Sequence, residues 1–276
     1  MKRQIKNNLR TIYNLLKMLI SLNIIKTIYV NFRKFPFIEA LHFPVFIYRG
    51  VKIKSLKGNI LLQKDNIKTG LIKIGLDINE TPTSSLKTLL NIKGQLTING
   101  YLIVSKGAVI NVVGNLIFHG CNTIGNGTFI KSLTTIEIGY NTRIVYDCTI
   151  FDSDIHYVKD IETGIIKNNK APIVIGENCW INAGTIISKG SVLPDFTITA
   201  RNSYIAKDYS VFGTNLLLVG APARPAKKKV QRIFHFQKQS DLNQLFKNNI
   251  ELQEIIEEPG VYAESRSEIE IYFKRK

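Results

Sequence analysis

IGENCW INAGTI ISKGSV LPDFTI TARNSY IAKDYS, residues 175–210, is six sixes in a single phase. The first position reads Ile175, Ile181, Ile187, Leu193, Thr199 and Ile205; the fifth reads Cys179, Thr185, Ser191, Thr197, Ser203 and Tyr209. An amphipathic helix places its apolar residues three and four apart, so a strict period of six is not a helix signal. Alternation of period two, broken every sixth residue by Gly, Asn, Asp or Pro, describes short strands joined by tight corners. Strands so joined can close into a three-sided coil, and coils stack so that each covers the next. The aliphatic first positions then fill the interior. A β-sandwich of short strands is the competing architecture, but it gives no reason for an unbroken phase.

Upstream the rhythm continues in other registers. Ile92, Ile98, Val104, Ile110 and Leu116 are six apart, then Ile124, Ile130 and Ile136, then Ile138, Ile144 and Ile150. Between Ile150 and Ile175 the count is one residue too long for whole repeats. The polar stretch at 155–172 is therefore expected to leave the coil as a loop, and loops on rigid scaffolds are where functional groups gather. The reading divides the chain into a basic, partly helical segment at 1–50, a β-helix at 51–225 and a helical extension at 226–276.

The chain has 276 residues and a formal net charge of +16, which calls for an anionic partner without choosing one. Its cysteines, Cys121, Cys148 and Cys179, have no metal-ligand or disulfide spacing and fit a reducing compartment. The best candidate for a spanning segment, Met18 to Ile25, is eight residues long, contains Ser21 and Asn23 and lacks a cleavage site, so a cytoplasmic location is expected. Residues 1–38 hold eight Lys or Arg and no Asp or Glu, with Ile5, Leu9, Ile12, Leu15, Leu16 and Leu19 at helical spacing. Such a segment can cap the open end of the first coil, or lie peripherally on an anionic membrane. No recognition motif accompanies the charge, so nucleic acid is not expected. Residues 230–258 carry a helical pattern, and the alternation in Ile269-Glu270-Ile271-Tyr272-Phe273 suggests an added strand.

Three features in order, Asp152-Ser153-Asp154-Ile155-His156, the run 173–184 (IVIGENCWINAG), and the closing 205–208 (IAKD) with 219–224 (VGAPAR), resemble the hexapeptide-repeat acyltransferases. The nearest branch is similar to the sugar O-acetyltransferases that decorate capsule, lipopolysaccharide and related glycans. The resemblance covers about residues 90–230. It implies an all-β, left-handed parallel β-helix with helical flanks, a homotrimer with active sites between neighbouring coils, acetyl-CoA as donor and a sugar hydroxyl on a glycan as acceptor. Acetylation of an amino group on a nucleotide sugar or of a small xenobiotic is the alternative within enzymes; a non-catalytic β-helix scaffold is the alternative outside them.

Acetyl transfer from a thioester to an alcohol needs a base for the hydroxyl proton and donors for the tetrahedral oxyanion. Of His42, His119, His156 and His235, only His156 stands where the six-residue rhythm stops, behind two carboxylates. Asp152 and Asp154 fall on one face of a strand; either can orient the imidazole, or cap a turn as Asp often does. The resemblance places Trp180 on the acceptor or at a subunit contact. For CoA it implies Ala183, Gly184, Ala200 and Arg201 along the pantetheine, with Lys207 and Arg224 at the phosphates. Lys227-Lys228-Lys229 can add to these or be a solvated tail. Ala200-Arg201-Asn202-Ser203 and Ala206-Lys207 depart from the family's usual Gly-Ala-Gly-Ser and Thr-Lys, which leaves backbone contacts but removes a threonine side chain. The fold also hosts metalloenzymes with three histidine ligands; only His119 and His156 lie in the repeat, so no metal is expected.

Overall fold

The sixes wind a triangular coil. In the computed structural model, which describes residues 20–63, 67–76, 85–249, 251–256 and 266–275, successive strands fall in turn on a first side of nine strands, a second of seven and a third of six. Strands within each side pair in parallel, except that Leu216–Val219 and Arg224–Lys228 close the first side antiparallel. The fold is an all-β, left-handed parallel β-helix with helical flanks.

Both inward positions of the hexads behave as their residue types require. Ile175, Ile181, Ile187, Leu193, Thr199 and Ile205 are buried, and so are Cys179, Thr185, Ser191, Thr197, Ser203 and Tyr209. In this region Ile186 pairs with Tyr204, an 18-residue coil. Lower coils are longer: Thr123 pairs with Arg143, 20 residues on. The extra pair of residues gives the second side a third inward position, filled by Ile92, Val112, Ser132 and Asp152, all with 0% exposure. This added column explains the phase slips in the sequence.

At the edge after that column the coils approach closely. The N–H groups of Lys93 and Gly94 share the Val112 carbonyl, and those of Val113 and Gly114 share the Ser132 carbonyl. A Cβ on Gly114 would lie 2.2 Å from the Thr134 carbonyl oxygen. Gly114→Ala must therefore separate two coils, and a loss of about 2–3 kcal/mol is expected. Thermal unfolding checks this; an unchanged midpoint would show that the coils have slack.

The bottom coil is sealed by helix α1 (Ile24–Lys34) followed by α2 (Phe37–Leu41). Asn23 caps α1 by accepting from the Lys26 N–H. Thr27 and Asn31 turn inward and bond the backbone of Val45–Ile47, whose outer edge has no lower strand among the described residues. Lys26 and Lys34 donate to the carbonyls of Val51 and Gly58, each at 2.5 Å. The β-helix thus begins at Val45, inside the segment read as N-terminal, and its last strand runs to Lys228. The helical spacing from Ile5 to Leu19 lies outside the described residues.

At the other end α3 spans Phe236–Asn248, and residues 251–256 are not helical, so the pattern at 230–258 overstates the helix. The strand expected near Ile269 is instead helix α4 (Arg266–Arg275). Ile269 and Phe273, four apart, face the first side together, where Phe273 stacks on Tyr101 with ring centres 6.0 Å apart. A strand would have turned them to a common face too; the helix wins because it also seats Arg266 over Tyr140 and Phe273 beneath Arg143. Among the described residues, no helix is long and apolar enough to cross a membrane.

Candidate active site

After Phe151 the chain leaves the coil at the edge between the second and third sides and returns at Ile173. Arg143 consequently pairs with Trp180, 37 residues on. The excursion is a two-legged arm, with Ser153 bridged to Lys170 and Lys159 to Ile166, and Asp160 closing its tip by accepting from Thr163 N–H.

Asp152 sits at the root and is fully buried. Its carboxylate accepts from Leu133 N–H at 2.8 Å, Thr134 N–H at 2.7 Å and the Thr134 hydroxyl at 2.7 Å. Those amides occupy the corner position where lower coils use a carbonyl of the coil above. Here that carbonyl, Asp152 O, is taken by Ala171 N–H, so the side chain supplies the acceptor. Asp152 caps the corner, its oxygens engaged inside the coil rather than with His156.

Asp154 points outward and pairs with Lys189, Oδ2 to Nζ 2.8 Å. Lys189 also donates to the Asn168 carbonyl at 2.7 Å, tying the outgoing leg of the arm to the returning one. His156 is exposed, and its backbone N–H donates to the Asp154 carbonyl. Among the described residues nothing lies within hydrogen-bond reach of its ring, so within one chain Asp154 does not orient the imidazole either.

Ile155, directly before His156, has φ +67°, a conformation that costs a β-branched residue free energy. It is held there from both sides: its N–H donates to Ser153 Oγ at 2.9 Å, and its carbonyl accepts from Asn169 Nδ2 at 2.7 Å. Asn169 is buried, with Oδ1 unpartnered, and lines a cleft of about 430 Å³ together with Asp154, His156, Asp160, Lys167 and Lys189. The sequence reading missed Lys189 and Asn169. Lys189 was findable: it precedes Lys207 by one 18-residue coil and shares its place in the hexad, ISKGSV against IAKDYS.

The remaining candidates divide between two edges. Lys207 lies above Lys189 on the arm's edge, packed over Tyr209 and Phe212. Ala183 and Gly184 form the corner between the first and second sides; Asn202 N–H donates to the Ala183 carbonyl, stacking Ala200 and Arg201 on them. Gly184 has φ +71°, the left-handed region that favours glycine, and a Cβ there would have to displace the exposed Asn202 side chain. The 219–224 segment continues this edge upward, with Gly220 accepting from Tyr204 N–H and Arg224 exposed beyond it. Trp180 is on the first side under Arg232, whose guanidinium carbon is 4.8 Å from the ring centre, and does not line the His156 cleft. One chain therefore does not bring His156, Trp180 and the corner residues together.

The other histidines have structural settings. His119 meets Glu137 at 2.6 Å on a regular coil, and His235 caps α3 by accepting from the Lys238 N–H. His42 is exposed just after α2. Cys148 and Cys179 are pushed up to about 12 by burial, and Cys121 is raised for the same reason, so none offers a thiolate at neutral pH. Among the described residues no group of His, Cys, Asp or Glu could hold a metal.

Neither a family model nor a curated protein matches this chain. Similar solved structures include the polysialic-acid-specific acetyltransferase NeuO, 18% identical over 76% of this chain and 95% of that one, TM-score 0.45. The polysialic acid O-acetyltransferase OatWY is 16% identical over 70% of this chain and 98% of its own, TM-score 0.41. AntD, an N-acyltransferase from Bacillus cereus solved with dTDP and coenzyme A, is 14% identical over 74% and 88%, TM-score 0.38. Similarity at this level assigns no activity.

Proposed function

We propose that the protein is an acetyl-CoA-dependent O-acetyltransferase acting on a sugar hydroxyl of a glycan or its precursor, with His156 as general base. The observation that carries the reading is the arm's root: a strained Ile155, clamped by Ser153 and Asn169, sets an exposed histidine at the rim of a cleft. Strain held by surrounding bonds gathers at functional sites. In this reading His156 takes the acceptor's hydroxyl proton as its oxygen attacks the thioester carbon. The tetrahedral intermediate then collapses with loss of the CoA thiolate, which recovers the proton from the imidazolium.

The same reading places the site between copies of the chain in a homotrimer. The base is on one edge and the corner of Ala183, Gly184, Ala200 and Arg201 on another, so each edge supplies the half that the other lacks. The arm also exposes Tyr157, Val158, Ile161, Ile165 and Ile166, with Ile161 94% accessible, a run of apolar surface that a neighbouring chain would cover. Arg224 and Lys207 would meet CoA phosphates, as guanidinium and ammonium groups do.

The test is CoA release from acetyl-CoA in the presence of neutral and acidic glycans. Release that no sugar stimulates above background would sink the enzyme reading. Mixing His156→Ala chains with Arg201→Glu chains, each inactive alone, is expected to restore activity at interfaces that carry both intact halves. No recovery among confirmed mixed trimers would overturn the reading of a site shared between chains.

A further inference from the structure

α1 has two working faces. Thr27, Val30 and Asn31 are buried on the first coil, which fixes the helix rigidly across the end of the stack. The opposite face then presents Ile24, Ile25, Ile28 and Tyr29 to solvent, and α2 adds Phe37 and Ile38; Ile25 is 81% and Ile38 75% accessible. Phe32 joins the two helices through Phe37, with ring centres 5.8 Å apart. Capping the coil needs only the inner face, so the apolar outer face is unexplained by the fold.

Cations border it. Lys26, Lys52, Lys54 and Lys87 line a groove of about 530 Å³ beside Tyr29. Residues 1–62 contain twelve Lys or Arg against Glu39 alone. A second copy of so basic a face is a poor occupant, because docking like on like would bring the lysines together. Apolar side chains rimmed by lysine match instead a surface that is anionic outside and hydrocarbon within.

We propose that α1 and α2 form a docking face for an anionic lipid bilayer, with Ile25, Ile28, Phe37 and Ile38 entering the headgroup layer and Lys52, Lys54 and Lys87 meeting lipid phosphates. The full chain is sedimented with vesicles of phosphatidylcholine alone and of phosphatidylcholine with phosphatidylglycerol. Partition is expected to be at least about tenfold greater on the anionic vesicles and to fall as salt rises. Ile25→Glu/Ile38→Glu, on exposed positions, is expected to lower it by about tenfold or more with the thermal midpoint unchanged, and Lys52→Glu/Lys54→Glu to lower it as well.

Absence of binding to anionic vesicles overturns the proposal. So does a double-glutamate variant that binds like wild type, which would reduce the effect to charge adsorption alone. A change in oligomeric state with vesicle binding unaffected would assign the face to a second copy. A lowered thermal midpoint in a chain that binds no vesicles would assign it to the chain's own first residues. Activity on a soluble glycan is read in parallel, so failure of lipid binding is distinguishable from failure of the enzyme reading.

Discussion

His156→Ala is expected to reduce acetyl transfer by about 10²–10⁴-fold, the range of a positioned general base. The melting temperature should not move, because the ring is exposed and no described residue bonds to it. This combination separates a chemical role from a structural one. The backbone of the arm is held by Ser153, Asn169 and Lys189, none of which hydrogen-bonds the imidazole, so the variant keeps the cleft and loses only the ring. Activity within about tenfold of wild type on a responsive glycan would remove His156 from the mechanism.

The second large effect is on stability. Asp152→Ala would leave two backbone N–H groups and a hydroxyl without an acceptor inside the coil. Unsatisfied buried donors cost about 1–3 kcal/mol each, but relaxation of the corner spares part of that, and a total loss of about 3–5 kcal/mol is expected. For a chain of this size that corresponds to a fall in melting temperature on the order of 10 °C. Asp152→Asn keeps one oxygen and should lose less. Assayed below its own midpoint, Asp152→Asn is expected to retain its acetyl transfer, whereas a catalytic carboxylate would lose it. A melting curve unchanged in the alanine variant would mean that the corner finds other acceptors.

The hexads from Ile175 to Ile205 made the architecture legible because each residue type has one place in a triangular coil: aliphatic inward on the strand, small beside the corner. The lower coils were readable only as shifts of phase. Their third inward position on the second side is filled by Ile92, Val112 and Ser132, too varied in polarity to register as a repeat. That obscurity had a consequence at the site. Read along a strand, Asp152 and Asp154 look equivalent; the third inward position of the 20-residue coils takes the first into a corner, and the departing arm leaves the second outside. Asn169 could not be found at all, since its role depends on the returning leg of the arm meeting Ile155. Nor does the stretch around His156 say which edge the arm leaves from, so the division of His156 from Arg201 onto two edges was invisible. Near Ile269 the alternation misled, because a five-residue window fits both a strand and a helical face.

A stack of parallel strands is also a ruler. The strand Val51–Leu56 lies at the capped end, and Thr149–Phe151, from which the arm departs, is four strand steps along the same side. At roughly 4.8 Å per step the arm stands about 19 Å above the cap, a height set by counting coils rather than by any single contact. Inserting or deleting one whole coil between Gly94 and Ser132 would shift that height by one graduation while preserving both ends.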